Sequence, residues 1–317
     1  MELKQTPIPL PVLGRVQPRL ALSRHLELGV RPNLKTPTEF TNISVDVLEP
    51  SGESIGGSIL RYGSHTRIIT TLALGIREDG GHLDNDASGT IYPILEISRG
   101  RVGAPTDEEM SLAQKLFELI KINKVIDSNN LRVGPLGTQI ESTIEYPEEE
   151  DELQTKRYRY VITANIQVFG RSGPLFDLIW RLMMIALEQC QLPRVYQEAN
   201  DFKGSQMRVA VRMRGRQLVK EDVGIESLKF DMSNKIPLVT PGSPRPSLLL
   251  CFKFGVFEGQ VLSDIEGEVE ELSVDSVFYL IREENSSVIR HISVQGKAVD
   301  YSHLVAALAM SGAAGTS

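Results

Sequence analysis

Two cysteines in 317 residues, Cys190 and Cys251, are too few to build a disulfide scaffold. Both stand in apolar runs and read as reduced core residues, which fits a reducing compartment. Long hydrophobic runs are missing too. No stretch approaches membrane-spanning length, and the opening MELKQTPIPLPVLGRV lacks a signal-peptide core, so the expectation is a soluble intracellular protein with no membrane partner. Positive charge is in deficit, with 34 Lys and Arg against 41 Asp and Glu, a formal charge of −7. That excludes a protein that coats nucleic acid by bulk electrostatics and leaves any such role to local basic patches. The five histidines, His25, His65, His82, His291 and His303, are too scattered to suggest a zinc set. No Walker loop, dinucleotide fingerprint, His-Glu-x-x-His or nucleophile elbow occurs, so no cofactor and no metal are expected.

What is present is an ordinary globular composition, 41% hydrophobic and 24% charged, long enough for one large domain or two small ones. Pro7, Pro9 and Pro11 punctuate the start, and residues 1–19 read as an extended segment. A short helix is expected over Leu20 to Leu28, stopped by Gly29. SVDVLEP, SIGGSILRYG and THRIITTLALGI read as successive strands, and Ile91 to Ile97 as another. Asp79 to Gly89 and the acidic run Pro147 to Asp151 read as solvated surface loops. KRYRYVITANIQVF alternates as a long strand, and Gly170 to Gly173 turns the chain into a helix opened by Pro174 and running to Cys190. That helix is apolar nearly all round, with Asp177, Arg181 and Glu188 on one polar line and Asp177 placed to pair with Arg181. In MRVAVRMRGR the period is two, so Arg208, Arg212, Arg214 and Arg216 share one face, either the solvated side of an edge strand or a surface for RNA or an acidic partner. LLLCFKFGVFEGQVL reads as a hairpin, VDSVFYLI and SVIRHISVQG as strands, and Asp300 to Met310 as a last helix before a loose tail at 311–317.

The organising stretch is LEISRGRVGAPTDEEMSLAQKLFELI, residues 95–120. A glycine-broken loop carries Arg99 and Arg101 into a helix that starts with a capping box of Thr106 and Glu109, acids in its first turn. Met110, Ala113, Phe117 and Ile120 fall on one side, with Leu112, Leu116 and Leu119 widening the stripe. Two arginines held between a strand and an anchored helix occupy a position suited to reading phosphate. The run RGRVGAPTDEEM with its helix resembles the matching segment of RNase PH-family ring subunits of the eukaryotic RNA exosome, and the likeness extends over most of the chain. The opening HLELGVRP, then the Gly63-x-x-Thr66 step, resembles the same family. Its usual Arg-Pro-Asp-Gly-Arg loop is half kept here as Arg31-Pro32-Asn33-Leu34-Lys35.

Active members of that family hold inorganic phosphate in a glycine loop with Ser or Thr and Arg before the central helix, and assist transfer with an acidic pair six residues apart. Here the loop reads Ser172-Gly173-Pro174-Leu175-Phe176, with Leu175 or Phe176 where the phosphate-holding arginine is expected, and Arg171 lies upstream of the turn. Proline also removes an amide donor. Asp264 and Glu270 keep the carboxylate pair, in a loop whose acids would ordinarily be solvated, and the pair reads as vestigial.

The resemblance therefore implies an α+β fold, a single RNase PH-type domain over 20–310 with mixed sheets around two long helices, Asp107–Lys121 and Pro174–Cys190. It implies a non-catalytic subunit of a six-membered ring with other RNase PH-like subunits. Cap subunits with oligonucleotide-binding barrels would cover the ring, and a separate hydrolytic nuclease subunit would complete it. Single-stranded RNA would be processed or degraded 3′ to 5′ in nucleus, nucleolus and cytoplasm. By the resemblance Arg99 and Arg101 are the first candidates for RNA contact, and the alternating face of Arg208, Arg212, Arg214 and Arg216 is the second. An active phosphate-dependent exoribonuclease and a free-standing RNA-binding module are the alternatives.

Overall fold

Alternation of apolar and polar residues sets the first sheet. β1 (Ile43–Leu48), β2 (Ser54–Tyr62) and β3 (Thr66–Glu78) form an antiparallel meander. β4 (Ile91–Ile97) follows, and then, after α3 (Asp107–Ile122) and the two-residue β5 (Gly137–Thr138), β6 (Tyr158–Phe169) pairs with β3 from Arg67↔Phe169 to Glu78↔Tyr158. β6 buries every second residue, as its sequence period requires. β4 lies parallel along its other side, which gives a five-stranded sheet in the order β1-β2-β3-β6-β4. The computed structural model describes residues 10–51, 54–63, 65–78, 91–100, 103–126, 128–133, 137–138, 158–171, 173–197, 228–238, 249–283, 288–297 and 299–314. The expected loops at 79–89 and 147–151, Arg101, the arginine face at 208–216 and the tail beyond 314 lie outside these residues.

α4 (Phe176–Gln189) is buried on nearly every side, from Phe176 to Leu187, because sheets lie on both of its faces. Against β2, Ser58 Oγ donates to the Leu182 carbonyl at 3.0 Å. On the opposite face Trp180 Nε1 donates to the Leu249 carbonyl at 2.9 Å. This second sheet comprises β9 (Leu249–Phe257), β10 (Gln260–Ser263), β11 (Ser276–Glu283) and β12 (Ile289–Gly296), in the order β10-β9-β11-β12. Every residue of β9 is buried. Leu249 and Cys251 join the core around α4, while Leu250, Phe252, Phe254 and Val256 join a second core closed by Ala307 of α6 (Tyr301–Ala314). A strand covered on both faces loses its alternation and reads as a continuous apolar run, which explains LLLCFKFGV. A third, three-stranded sheet joins β5, β7 (Gln191–Gln197) and β8 (Leu228–Pro237). Both cysteines are buried and free, as the sequence suggests.

Three local expectations are corrected. The segment at 1–19 is not extended throughout, for α1 (Leu10–Val16) and α2 (Pro18–Glu27) are helices. Pro11 and Pro18 fall in first turns, where a missing N–H leaves nothing unpaired, so these prolines mark helix starts. LSDIEGEVEEL, read as a loop, contains α5 (Gly267–Ser273), held by a small core in which Leu22 and Leu26 meet Phe257, Leu262 and Val269. On α3 the packed stripe is Leu116, Leu119 and Ile120, while Met110 is 53% exposed. Phe117 stacks on Tyr92 at the rim, with ring centroids 5.8 Å apart.

The loop after α2 carries one strained residue. Leu34 is 80% exposed and sits at φ 65°, the left-handed region in which a Cβ is crowded by the following carbonyl. Glycine relieves that crowding, at the cost of some unfolded-state entropy. Leu34→Gly is expected to raise stability by about 0.5–1 kcal/mol, read as a higher urea midpoint at unchanged m-value.

Candidate functional site

Two turns meet at the N-terminal end of α4. The first, Gly170 to Leu175, leads from β6 into α4, with Gly170 and Gly173 at φ 75° and 83°. The second follows β10 and passes through Asp264 to α5. They are in direct contact, since a Cβ on Gly173 would stand 3.0 Å from the Ile265 carbonyl oxygen and 3.4 Å from Glu266 Cα. Glycine is required here both by conformation and by space.

Beneath this contact lies a buried ionic cluster. The Lys253 ammonium is 3.5 Å from both Asp177 Oδ1 and Asp264 Oδ1, and it donates to the Pro174 carbonyl at 3.0 Å. All three side chains are buried. Asp264 is fully engaged: the Thr41 amide donates to Oδ2 at 2.9 Å and the Tyr62 hydroxyl to Oδ1 at 3.0 Å. Burial raises the Asp177 carboxyl above the ordinary range, against the pull of Lys253. Burial alone would lower the Lys253 ammonium, but Asp177 and Asp264 outweigh it and raise it. Burial also raises Tyr62 strongly, reinforced by the Asp264 charge.

A second buried cation ties the first loop to the same place. Arg31, fully buried, spends its guanidinium on backbone carbonyls: Nε on Thr36 at 3.1 Å, Nη2 on Glu39 at 2.7 Å, and Nη1 on Ser263 at 2.7 Å and Asp264 at 3.1 Å. Nη1 also stands 3.4 Å from Glu270 Oε2, which accepts from the Glu266 amide at 2.8 Å. Burial pushes the Glu270 carboxyl up to about 6, with Arg31 opposing. At the rim Glu266 pairs with Lys35 at 3.1 Å and accepts from Asn33 at 3.2 Å. The half-kept loop motif therefore acts as a clamp on the acidic segment.

The acidic pair is thus brought to one place, but it is not solvated as the sequence suggested. Asp264 is 4% exposed and Glu270 0%, because α5 and the two loops close over them. Asp177 is likewise buried; it pairs with Lys253 and does not lie on a solvent-facing polar line. Arg171 points away from the cluster and forks outward, 2.7 Å from Glu108 of α3 and 2.7 Å from Glu271 of α5. Arg99 is committed as well. Its guanidinium pairs with Glu109, the acid that accepts from the Ile97 and Thr106 amides at 2.6 Å each and completes the capping box. Burial opposes the Glu109 charge, yet the hydrogen bonds from Arg99, Thr106 and Ile97 hold its carboxyl down at about 2. Arg101, Arg208, Arg212, Arg214 and Arg216 lie outside the described residues.

No group of three or more metal-ligating side chains occurs among the described residues. Sequence reasoning missed Lys253 and the role of Arg31. A lysine inside an unbroken apolar strand was a legible signal, because a charge buried there must be paired.

Neither a protein-family model nor a curated protein sequence matches the chain. Solved structures do. An Archaeoglobus fulgidus exosome with RNA bound to its active site matches at 14% identity and a TM-score of 0.60, over 94% of this chain and 94% of that one. An archaeal exosome core matches at 14% identity and a TM-score of 0.58, over 96% of this chain and 94% of the other. This chain has the mixed α+β architecture of an RNase PH-type domain.

Proposed function

We propose that this chain is a non-catalytic subunit of an RNA exosome ring, supporting 3′-to-5′ RNA processing and degradation. The observation that carries the reading is the state of Asp264. This is the acid expected to assist phosphoryl transfer, and it is 4% exposed, with both carboxylate oxygens engaged, under a turn that rests on the 265–267 backbone. An acid so placed meets neither substrate nor phosphate. By the sequence resemblance Leu175 or Phe176 takes the place of the arginine that would hold the anion, and both are buried. The match to exosome structures over nearly the whole chain supports the ring assignment.

The finer parts of the proposal follow the sequence resemblance, which among such subunits runs to ribosomal RNA-processing protein 43. The partners are the other RNase PH-like subunits of a six-membered ring, cap subunits with oligonucleotide-binding barrels, a separate hydrolytic nuclease and single-stranded RNA. The sites of action are nucleus, nucleolus and cytoplasm. Arg101 and the arginine face at Arg208, Arg212, Arg214 and Arg216 contact RNA, while Arg99 braces the loop against α3 through Glu109. Size-exclusion chromatography of the chain alone and co-expressed with other ring subunits tests the assignment. A stoichiometric complex is expected. A stable monomer that ignores those subunits and binds RNA by itself would overturn it.

A further inference from the structure

Five ionisable side chains are packed under the two turns almost out of reach of solvent: Arg31 (0% exposed), Lys253 (1%), Asp177 (6%), Asp264 (4%) and Glu270 (0%). Two cations face three acids, so full ionisation leaves one negative charge uncompensated. At the rim Lys35 and Glu266 pair with each other and cancel, and the next cation, Lys115 over the Phe176 and Tyr279 rings, lies on the Asp177 side of the cluster and not beside Glu270. An unbalanced charge in so dry a place is strongly disfavoured, and the usual resolution is a proton on one acid.

Two oxygens are open to that proton. Glu270 Oε1 and Asp177 Oδ1 are buried and have no hydrogen-bond partner among the described residues. They differ in surroundings. Asp177 Oδ1 faces the Lys253 ammonium, with Asp264, Tyr62, Tyr279 and Cys251 around it, so a proton there would oppose a cation. Glu270 meets Arg31 only through Oε2, and its other charged neighbours are the acids Glu266 and Asp264. A proton on Oε1 leaves the Arg31 contact intact and relieves two repulsions.

We propose that this cluster holds one proton on Glu270 at mildly acidic pH and releases it toward neutrality, making the joint between the 31–41 loop and the 263–270 segment a pH-sensitive element. Burial pushes both carboxyls up, Glu270 and Asp177 each to about 6, and it is their surroundings that assign the proton to Glu270. The sign follows from linkage. An acid raised in the folded state contributes stability that is fully present below its ordinary range, and that stability is lost as pH rises through the folded value. The device does not depend on the ring role, since it resides in one chain.

Two measurements on the full chain test it. With ¹³C-carboxyl-labelled glutamate, one resonance is expected to titrate well above the rest, near pH 6, and to vanish in Glu270→Gln. The urea midpoint of the wild type is expected to fall between about pH 4.5 and 6.5, and to fall less in Glu270→Gln. The proposal is overturned if no carboxyl of the wild type titrates above the ordinary range, or if the raised resonance survives in Glu270→Gln. The first of these uses the wild type alone, so it decides the matter even if the variant does not fold.

Discussion

Replacing Lys253 with methionine is expected to lower stability by about 3–5 kcal/mol, the usual cost of removing one member of a buried ion pair. Methionine fills much of the same space and is apolar, so the loss reports charge more than volume. Without the ammonium, Asp177 and Asp264 face each other at less than one-tenth exposure and the Pro174 carbonyl loses its donor. The deficit should grow as pH rises from 5 to 8, because Asp177, whose carboxyl burial already raises, can take a proton at the lower end and relieve the repulsion. Adding Asp177→Asn and Asp264→Asn to Lys253→Met should recover part of the loss, since removing a whole buried charge set is far less costly than splitting it. Urea unfolding of the wild type, Lys253→Met and the triple variant at two pH values measures this. A single variant that unfolds like the wild type would show that the cluster is not electrostatically organised as described.

Arg31→Ala should be as damaging, again about 3–5 kcal/mol. Four backbone carbonyls and the Glu270 carboxylate each lose a donor, and a fully buried side chain leaves a cavity. Arg31→Lys should restore only a minor share, since one ammonium cannot reach carbonyls spread over Thr36, Glu39, Ser263 and Asp264. The loss should appear first as accelerated amide exchange in the 31–41 loop and in β10, ahead of the five-stranded sheet. Exchange that quickens uniformly would contradict the assignment of Arg31 as a local clamp.

Two of the three sheets and the two long helices were legible because their signals are local, whereas β7 and β8 of the third sheet were not anticipated. β6 alternates over its whole length, and the capping box at Thr106 and Glu109 writes the start of α3 in four residues. α1 and α5 were not legible. Each has seven residues, too short for a periodic stripe, and their contacts come from distant parts of the chain: Gly14 of α1 against Val269 of α5, and Val269 in turn against the core of Leu22, Phe257 and Leu262. The candidate site was half legible. The acids Asp264 and Glu270 could be found by spacing, but their burial could not, because α5, the 31–41 loop and the turn before α4 cover them from separate positions in sequence. Arg99 illustrates the same limit. A loop arginine beside a helix N-terminus reads equally as a phosphate contact or as a brace, and the choice rests on where Glu109 directs its second oxygen.

On the function we propose, the burial of Asp264 makes this chain a building element of a ring and not its cutting edge. The direct measurement is phosphate-dependent release of nucleoside diphosphate from labelled single-stranded RNA, by the purified chain alone and within its ring, compared with Asp264→Asn in both settings after folding is verified. The account predicts no release from the chain alone and no change in the ring on mutating Asp264. Release that requires inorganic phosphate and disappears with a folded Asp264→Asn protein would contradict it.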